Sequence, residues 1–331
     1  MDVNTIQQQL FQVIKSRLAA DASVADEVAA LLDISTDSAY RRMRGEKAVT
    51  FDELCKLSSH YRISLDQLMN VNTGFLFQGN LLNSKTFRFD DYLKAMHGNM
   101  TYFNSAKHNE FYYLCKDAPI FHHFHVREFA AFKYFFWIST LAYFPDFRNK
   151  KIDFNEYSDE LFELSQKILT LYDQLNVYEI WTLESLNSQL HQIEYYREAQ
   201  RFYSDSDVLK VYEAVEKTVD HLEEQARLGY KFKLGDPEKK PLGKYHLYFN
   251  EIILPDNSMM VVMDNTKLAL MPHTAINYMM TRDVAYCENY YQYVQNLLKR
   301  STLISEVSEK ERTRFFRIMR ERIERRKEVL R

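Results

Sequence analysis

Glycine and proline are scarce along the whole chain, and this scarcity limits the folds that the sequence can adopt. The 331 residues include 7 Gly and 6 Pro, whereas average usage of about 12% would give roughly 40. β-Sandwiches, barrels and doubly wound sheets need Gly- and Pro-rich turns at short intervals, and phosphate-binding loops need Gly itself. The composition therefore predicts a mainly α protein built from long helices.

Length and composition describe a large protein without a membrane segment. The chain is long enough for two or three domains, and its 23 Phe, 23 Tyr and 2 Trp can fill a large core. No apolar run reaches the roughly 18 residues that span a bilayer, and the N-terminus lacks the pattern of a secretion signal. We therefore expect a cytoplasmic protein, in which the widely spaced Cys55, Cys115 and Cys287 are reduced core thiols.

The first 72 residues carry the pattern of five short helices. Apolar residues recur at helical spacing in the first two segments. Ser35 is a good N-cap for the third helix, which Gly45 ends, and capping-box sequences open the fourth and the fifth. The predicted helices begin near residues 6, 24, 36, 50 and 64.

The third predicted helix, Thr36 to Arg44, has the composition of a helix that reads DNA. Ala39 and Met43 are enough to seat it on a core, which leaves its other side chains facing outward. Arg can bind guanine bidentately, Asp can accept from cytosine, and Ser or Thr can contact either kind of base. The sequence predicts base contacts by Thr36, Asp37, Ser38 and Arg41, and phosphate contacts by Tyr40, Arg42, Arg44 and Lys47.

Motifs typical of one family of DNA-binding domains occur between Val24 and Met69. They are Val28-Ala29, Leu32-Asp33-Ile34-Ser35, Arg41, Arg44-Gly45-Glu46-Lys47 and Ser64-Leu65-Asp66-Gln67-Leu68. With them the stretch resembles the phage-repressor (Cro-like, XRE-type) helix-turn-helix domain, a lambda-repressor-like fold. The resemblance implies that the third helix lies in the major groove. Asp33 stands where the family usually has Gly, and Thr36 where it often has Gln, so the base preference does not carry over.

The charge of this region leaves a second interpretation open, in which the same helices contact protein. Residues 1–72 carry 8 Lys/Arg and 10 Asp/Glu, whereas DNA-binding domains are usually basic. Four of the eight cations, however, lie between residues 41 and 47, and the local potential is what meets phosphate. We therefore predict a homodimeric transcription regulator that binds double-stranded DNA, and keep an interaction or scaffold protein, such as an antitoxin or defence-associated protein, as the alternative.

The rest of the chain predicts a large helical domain with a small antiparallel β-meander near the C-terminus. Residues 73–89 indicate a packed linker, residues 90–235 a helical bundle or hairpin array, and residues 236–331 the meander plus two helices, in one unit with the preceding domain. The expected strands cover 110–116, 245–254, 259–263 and 267–271. Helix starts near 157, 183 and 207 hint at a stacked repeat.

No pattern in the sequence points to catalysis, to a metal or to a cofactor. The usual nucleophile, zinc-protease and nucleotide-binding fingerprints are absent, so we predict that the protein is not an enzyme. His122, His125 and Glu128 have the spacing of metal ligands, but a helix start in a Phe-rich segment explains them better. Aromatic runs leave open a pocket for a small-molecule effector, with a protein effector as the other choice, although such runs more often form core.

The last predicted helix, Glu309–Arg331, is strongly basic. It carries 10 Lys/Arg and 5 Asp/Glu, and its apolar residues Phe315, Met319, Ile323 and Leu330 form one stripe. This pattern is typical of a helix that packs its stripe on a core and exposes a charged back. A dimer contact is the alternative.

Overall fold

The computed structural model describes most of the chain and divides it into two compact units. It covers residues 3–18, 22–69, 74–79, 88–141, 147, 149–251, 256–274 and 276–330. The smaller unit runs from Met1 to Leu76 and the larger unit from Phe77 to Arg331. Part of the predicted linker, including residues 80–87, and the predicted strand end at 252–254 lie outside the described residues.

Five helices form the described part of the smaller unit, in the places that the sequence pattern predicts. They are α1 (Val3–Lys15), α2 (Val24–Leu32), α3 (Thr36–Met43), α4 (Phe51–His60) and α5 (Leu65–Leu68). Their apolar faces meet in one core that includes Leu10, Ile14, Val28 and Leu57. The side chain of Thr50 accepts from the backbone N–H of Glu53 and completes the predicted capping box.

The larger unit is built on a mixed sheet that the sequence pattern does not predict. Among the described residues its strands are β1 (Asn109–Cys115), β2 (Val177–Trp181), β3 (Tyr245–Phe249), β4 (Ser258–Met263), β5 (Thr266–Pro272), β6 (Tyr278–Thr281) and β7 (Thr302–Leu303). The strand order is β6-β5-β4-β1-β2-β3-β7. β1, β2 and β3 run parallel, and the other neighbours are antiparallel. The prediction of a mainly α fold with a small antiparallel meander is therefore wrong, because this unit has an α/β fold.

Helices connect the parallel strands and cover the sheet. They are α6 (Phe89–Asn104), α7 (Arg127–Phe136), α8 (Asp159–Asp173), α9 (Asn187–Glu198), α10 (Asp205–Leu228), α11 (Val284–Lys299) and α12 (Glu309–Glu328). α7 and α8 lie between β1 and β2, and α9 and α10 between β2 and β3, as parallel crossovers require. One sheet face, with Phe111 and Leu247, packs in the main core, whereas α11 covers the other face through Cys287 and Val294. No helix within the described ranges is long and apolar enough to cross a membrane.

Burial on both faces hides the sheet from sequence patterns. β2 has the sequence VYEIW, and its central acid makes it resemble a polar break between two helices rather than a strand. β3 follows the predicted extended segment, but it pairs with β2 and β7 and not with β4. The β4–β5 hairpin keeps its predicted antiparallel pairing. The evenly spaced helix starts do not mark a repeat, because β2 separates α8 from α9.

Residues other than glycine occupy several left-handed backbone positions, which explains how a glycine-poor chain builds this sheet. Asp264 turns the β4–β5 hairpin at φ 49°, and Gln200, Lys239 and Glu306 take positive φ values at other connections. The parallel strands, moreover, are joined by helices and not by tight turns. Scarce glycine therefore restricts the kind of turn, and it does not exclude a sheet.

The basic last helix packs on the larger unit through its apolar stripe, as predicted. Phe315, Met319 and Ile323 are buried in the main core. The charged residues beside the stripe form ion pairs with α10: Arg320 Nε lies 2.7 Å from Asp220 Oδ1, and Lys327 Nζ lies 2.8 Å from Glu216 Oε2. Much of the positive charge of α12 is therefore paired with acidic side chains of the larger unit.

Gly243 is predicted to be a position where no side chain fits. A Cβ atom there would overlap the carbonyl oxygens of Asp173 and Leu175 at the end of α8, and these are backbone atoms that cannot move aside cheaply. Gly243→Ala should lower the free energy of unfolding of the larger unit by roughly 3 kcal/mol or more. Urea denaturation followed by tryptophan fluorescence measures this change, since both Trp residues lie in the larger unit.

Gly98 provides the matched control. It lies within α6, and apart from its chain neighbours and the backbone of its own helix no atom of the described residues comes within 4 Å of the position that a Cβ would take there. Gly98→Ala should therefore stabilise the unit by about 0.5–1 kcal/mol. Equal effects of the two substitutions would contradict the close approach at Gly243.

Candidate functional site

The turn between α2 and α3 has the geometry of a helix-turn-helix. Asp33 ends α2 in the left-handed conformation, with φ 57° and ψ 51°, and its backbone N–H donates to the carbonyl of Ala29. Ser35 then caps α3, because its Oγ accepts from the backbone N–H of Ser38 at 3.2 Å. An acidic residue thus takes a left-handed backbone conformation that glycine adopts most readily.

The exposed face of α3 carries most of the predicted base-contacting residues. Thr36, Asp37 and Arg41 are exposed, and Ser38 is half-buried. Two of the hydroxyls have partners within the unit: Thr36 Oγ1 donates to Asp26 Oδ1 at 3.3 Å, and Ser38 Oγ accepts from Ser35 Oγ at 3.1 Å. The face therefore offers a guanidinium, a carboxylate and hydroxyl groups on one short helix.

Glu46 lies among the cations that follow this face. Its Oε1 is 2.7 Å from Arg44 Nε, and its Oε2 is 3.9 Å from Arg41 Nε. The hydrogen bond from Arg44 lowers the pKa of Glu46, so the carboxylate stays charged near neutral pH. Tyr40 and Lys47 are also exposed. Arg41 and Arg44 remain 53% and 56% exposed, so both can still reach a ligand.

Arg42 does not face outward, contrary to the expectation from the sequence. Its side chain is 3% exposed, and its Nε and Nη2 donate to the two carboxylate oxygens of Glu53 at 3.0 and 2.6 Å. Its Nη1 also donates to the carbonyl of Ser38. The bidentate pair joins α3 to the N-terminus of α4. Arg42 is therefore a structural residue, and its position gives no support to the predicted phosphate contact.

Gln7 is a buried residue of this site that the sequence reasoning missed. Its Nε2 donates to the carbonyl oxygens of Arg42 and Lys47 at 2.7 and 2.8 Å, and its Oε1 accepts from the N–H of Val49 at 2.9 Å. One side chain of α1 thereby holds the turn that follows α3. The signal was present in the sequence, because Gln7 stands three residues before Leu10, on the apolar face of α1.

Gln7→Leu should destabilise the smaller unit. The substitution leaves two carbonyls and one N–H of the turn without their partner, at a cost of about 2–4 kcal/mol. Hydrogen exchange of the amides in residues 42–53 of the full chain measures the loss directly. The neighbouring Gln8 is exposed, so Gln8→Leu should stay within about 0.5 kcal/mol of the unchanged protein. Similar protection of the turn in both variants would contradict the role of Gln7.

The histidines that suggested a metal lie instead around a buried carboxylate in the larger unit. His122 Nε2 is 2.8 Å from Glu179 Oε1, and His122 Nδ1 is 3.4 Å from His125 Nε2. Glu179 is the central residue of β2 and is fully buried. Among the described residues, no three His, Cys, Asp or Glu side chains converge as the ligands of a metal would.

Both oxygens of Glu179 are saturated by donors from several elements. Tyr172 donates to Oε1, and Trp181 Nε1 and Tyr245 OH donate to Oε2 at 2.7 and 2.9 Å. The ammonium of Lys231, itself fully buried, lies 3.6 Å from Oε1. Burial opposes the charged form of Glu179, but the neighbouring His122, Lys231 and hydroxyl groups outweigh it and lower its pKa. The carboxylate is therefore charged in the folded protein.

Glu179→Gln should destabilise the larger unit by about 3–5 kcal/mol, because it leaves Lys231 buried without its closest anion. The double variant Glu179→Gln with Lys231→Met should be less destabilised than the single one. Urea denaturation near neutral pH measures both. Since the pKa of Glu179 falls on folding, its stabilisation is complete above the unfolded pKa of about 4.3 and declines as the pH drops below it.

If the free energy of unfolding of Glu179→Gln stays within about 1 kcal/mol of that of the unchanged protein, the carboxylate does not organise this core. Glu198→Gln is the control, since Glu198 is exposed at the end of α9.

Residues 3–82 match the family model of the BetR domain, a small N-terminal domain of the helix-turn-helix DNA-binding type. The match includes all five helices of the smaller unit and less than a third of the chain. No curated protein and no solved structure shows significant similarity to the chain. The matched domain makes DNA the expected partner of the smaller unit.

Proposed function

We propose that the chain is a sequence-specific, DNA-binding transcription regulator of the cytoplasm, and that it has no enzymatic activity. The exposed polar face of α3, in a domain that matches a helix-turn-helix type, carries the proposal. In the complex, α3 lies in the major groove, as in the phage-repressor domains that the stretch resembles. The larger unit then serves regulation and dimerisation.

Each exposed residue of the α3 face has a proposed role. Arg41 binds a guanine edge, while Asp37 accepts from a cytosine amino group. The hydroxyls of Thr36 and Ser38 exchange their internal partners for base edges. Tyr40, Arg44 and Lys47 contact phosphates and fix the position of the helix. Arg42 is left out of this set, because its guanidinium is buried against Glu53.

Dimerisation is part of the proposal, because one headpiece of this size offers few base contacts. Two copies related by a two-fold axis would read half-sites about 34 Å apart, one turn of the DNA helix. The genomic fragments that the purified full chain retains should therefore contain inverted half-sites with this spacing.

Arg41→Ala and Lys47→Ala should weaken DNA binding in different ways. Arg41→Ala should cost about 1–3 kcal/mol on the retained site and relax specificity at one base pair. Lys47→Ala should weaken all sequences alike and reduce the slope of log K against log salt by about 1. Fluorescence anisotropy with labelled duplexes, at several salt concentrations, measures both effects.

Lys15→Ala is the matched control, because Lys15 is exposed on α1 and lies outside α3 and its following turn. It should leave the specificity unchanged. If both test variants keep full affinity while their circular dichroism shows an intact fold, the α3 face does not bind DNA.

A second function is favoured by one observation, the charge of the smaller unit. Residues 1–72 carry a net charge of −2, from 8 Lys/Arg and 10 Asp/Glu, and Glu46 engages two of the arginines of the face. Such a surface suits an interaction or scaffold protein whose α3 binds another protein. Failure to retain any DNA fragment, with the helices intact, would favour this function.

A further inference from the structure

A small cavity lies beyond the carboxyl end of β1, in the larger unit. Its volume is about 50 Å³, which is room for about three to four water molecules. Asp117 and Ala118, which follow β1, and Asn257, which precedes β4, contribute to its wall. β1 is the strand at which the sheet changes from parallel to antiparallel pairing. In open α/β sheets, ligands commonly bind in crevices beyond the carboxyl ends of the strands.

His123 lines this cavity with both ring nitrogens unused. The residue is 3% exposed, and neither nitrogen has a hydrogen-bond partner in the part of the chain that the structure describes. Its ring packs against those of Phe129 and Trp137, with centroids 4.9 and 5.7 Å away. Buried polar groups without partners are rare and costly in native proteins. The neutral imidazole therefore has one N–H available for an acceptor in the cavity.

Lys133 brings a buried ammonium group to the same cavity. The residue is 3% exposed on α7, and its Nζ donates to Gln192 Oε1 at 2.7 Å. It also lies 4.7 Å from the ring centre of Phe136 and 5.4 Å from that of Trp137. No carboxylate forms an ion pair with it among the described residues. Asp117, on the same lining, favours the charged form of Lys133 from beyond ion-pair distance. A buried cation without a direct ion pair is unusual, because buried charges are normally paired.

The remaining walls add donors and an apolar side. Tyr113 and Tyr278 face each other with their hydroxyl oxygens 3.1 Å apart, so one of their two protons stays free for another acceptor. Trp137 and Phe136 provide flat apolar surface beside Lys133. Asp117 is the acid on the lining, and it is half-buried. The donors on the lining therefore include the amine of Lys133, the ring of His123 and the tyrosine pair.

We propose that this cavity, which we call the Lys133 cavity, binds a small carboxylate. One carboxylate oxygen accepts from Lys133 and the other from His123 or the tyrosine pair, while the carbon end of the ligand rests on Trp137. With four heavy atoms, acetate is a ligand of the size that a cavity of about 50 Å³ can admit. The inference is independent of the proposed DNA binding, since the cavity lies wholly within the larger unit.

The two tryptophans give a direct test on the full chain. Trp137 lines the cavity, whereas the indole of Trp181 donates to Glu179 in the core. The protein is labelled with ¹⁵N-tryptophan, the two indole signals are assigned with Trp137→Phe, and sodium acetate is titrated against sodium chloride at equal ionic strength. Acetate should move the Trp137 signal saturably, in the millimolar range, and leave the Trp181 signal in place.

Lys133→Met should weaken the apparent affinity for acetate at least about tenfold, because it removes the charge while keeping the length of the side chain. The matched control is Lys217→Met, since Lys217 is exposed on α10. It should bind acetate as the unchanged protein does. Equal affinity in Lys133→Met would overturn the proposal.

The unchanged protein tests the proposal even if Lys133→Met does not fold. Methylammonium chloride, a cation of similar size, should not move the Trp137 signal. The proposal is overturned if acetate produces no saturable change of the Trp137 signal or moves both indole signals alike. It is also overturned if methylammonium moves the Trp137 signal as acetate does.

The pH dependence gives a second readout. Burial lowers the pKa of Lys133 to about 7, so the ammonium form predominates below that pH and acetate should bind roughly tenfold or more tightly near pH 6 than near pH 8.5. Burial raises the pKa of Asp117 and the neighbouring Lys133 opposes this shift, and Asp117 repels a carboxylate ligand when it is ionised. His123 stays neutral, because burial lowers its pKa well below the ordinary value, and burial keeps Tyr113 and Tyr278 protonated. An affinity that rises with pH would contradict the role of Lys133.

Discussion

Glu179 is a charge at the centre of a strand that is buried on both faces, and the surrounding core has to satisfy it. Its oxygens accept from residues of the segment after β1, of α8, of β2 and of β3, and Lys231 adds the closest cation. Glu179 pairs with Tyr113 of β1 and with Leu247 of β3, and this register sets the position along the strands at which the donors have to lie. A hydrophobic core alone tolerates small shifts of its layers, whereas a carboxylate with several donors requires one arrangement. The hydrogen bonds of Glu179 therefore fix how the crossovers between the parallel strands pack on the sheet.

In the smaller unit, too, a buried polar side chain with several hydrogen bonds fixes the packing, but this side chain is neutral. Gln7 binds three backbone groups of the turn after α3, and the pair of Arg42 with Glu53 joins α3 to α4. α3 itself buries little apolar surface, since its buried residues are Ala39 and Arg42. Polar contacts of fixed geometry thus hold a helix that packing alone would hold only weakly. This arrangement leaves the other side of α3 free to carry polar residues.

What the sequence predicted well was local, and what it missed depends on partners far along the chain. Ser35, Thr50 and Gly45 signal helix ends through their own side chains or backbone, so all five helices of the smaller unit were predictable. Arg42 was assigned to the surface because it is charged, and the acid that buries it stands 11 residues later. β2 was missed because its central carboxylate accepts hydrogen bonds from residues as distant as Tyr245. Of the proposed DNA-binding face, the exposed residues were predictable. The burial of Gln7 could be read from its helix, but its hydrogen-bond partners, 35 to 42 residues away, could not.

The close packing at Gly243 has an evolutionary consequence. The backbone carbonyls at the end of α8 occupy the place of any side chain at this position. Homologous chains that keep this crossing of α8 and the segment before β3 have no alternative to glycine there, however far the rest of their sequences diverge. An invariant glycine at this position in a future alignment would record a steric requirement of the fold. It would therefore identify relatives of the larger unit whose headpieces, ligands and surfaces have all changed.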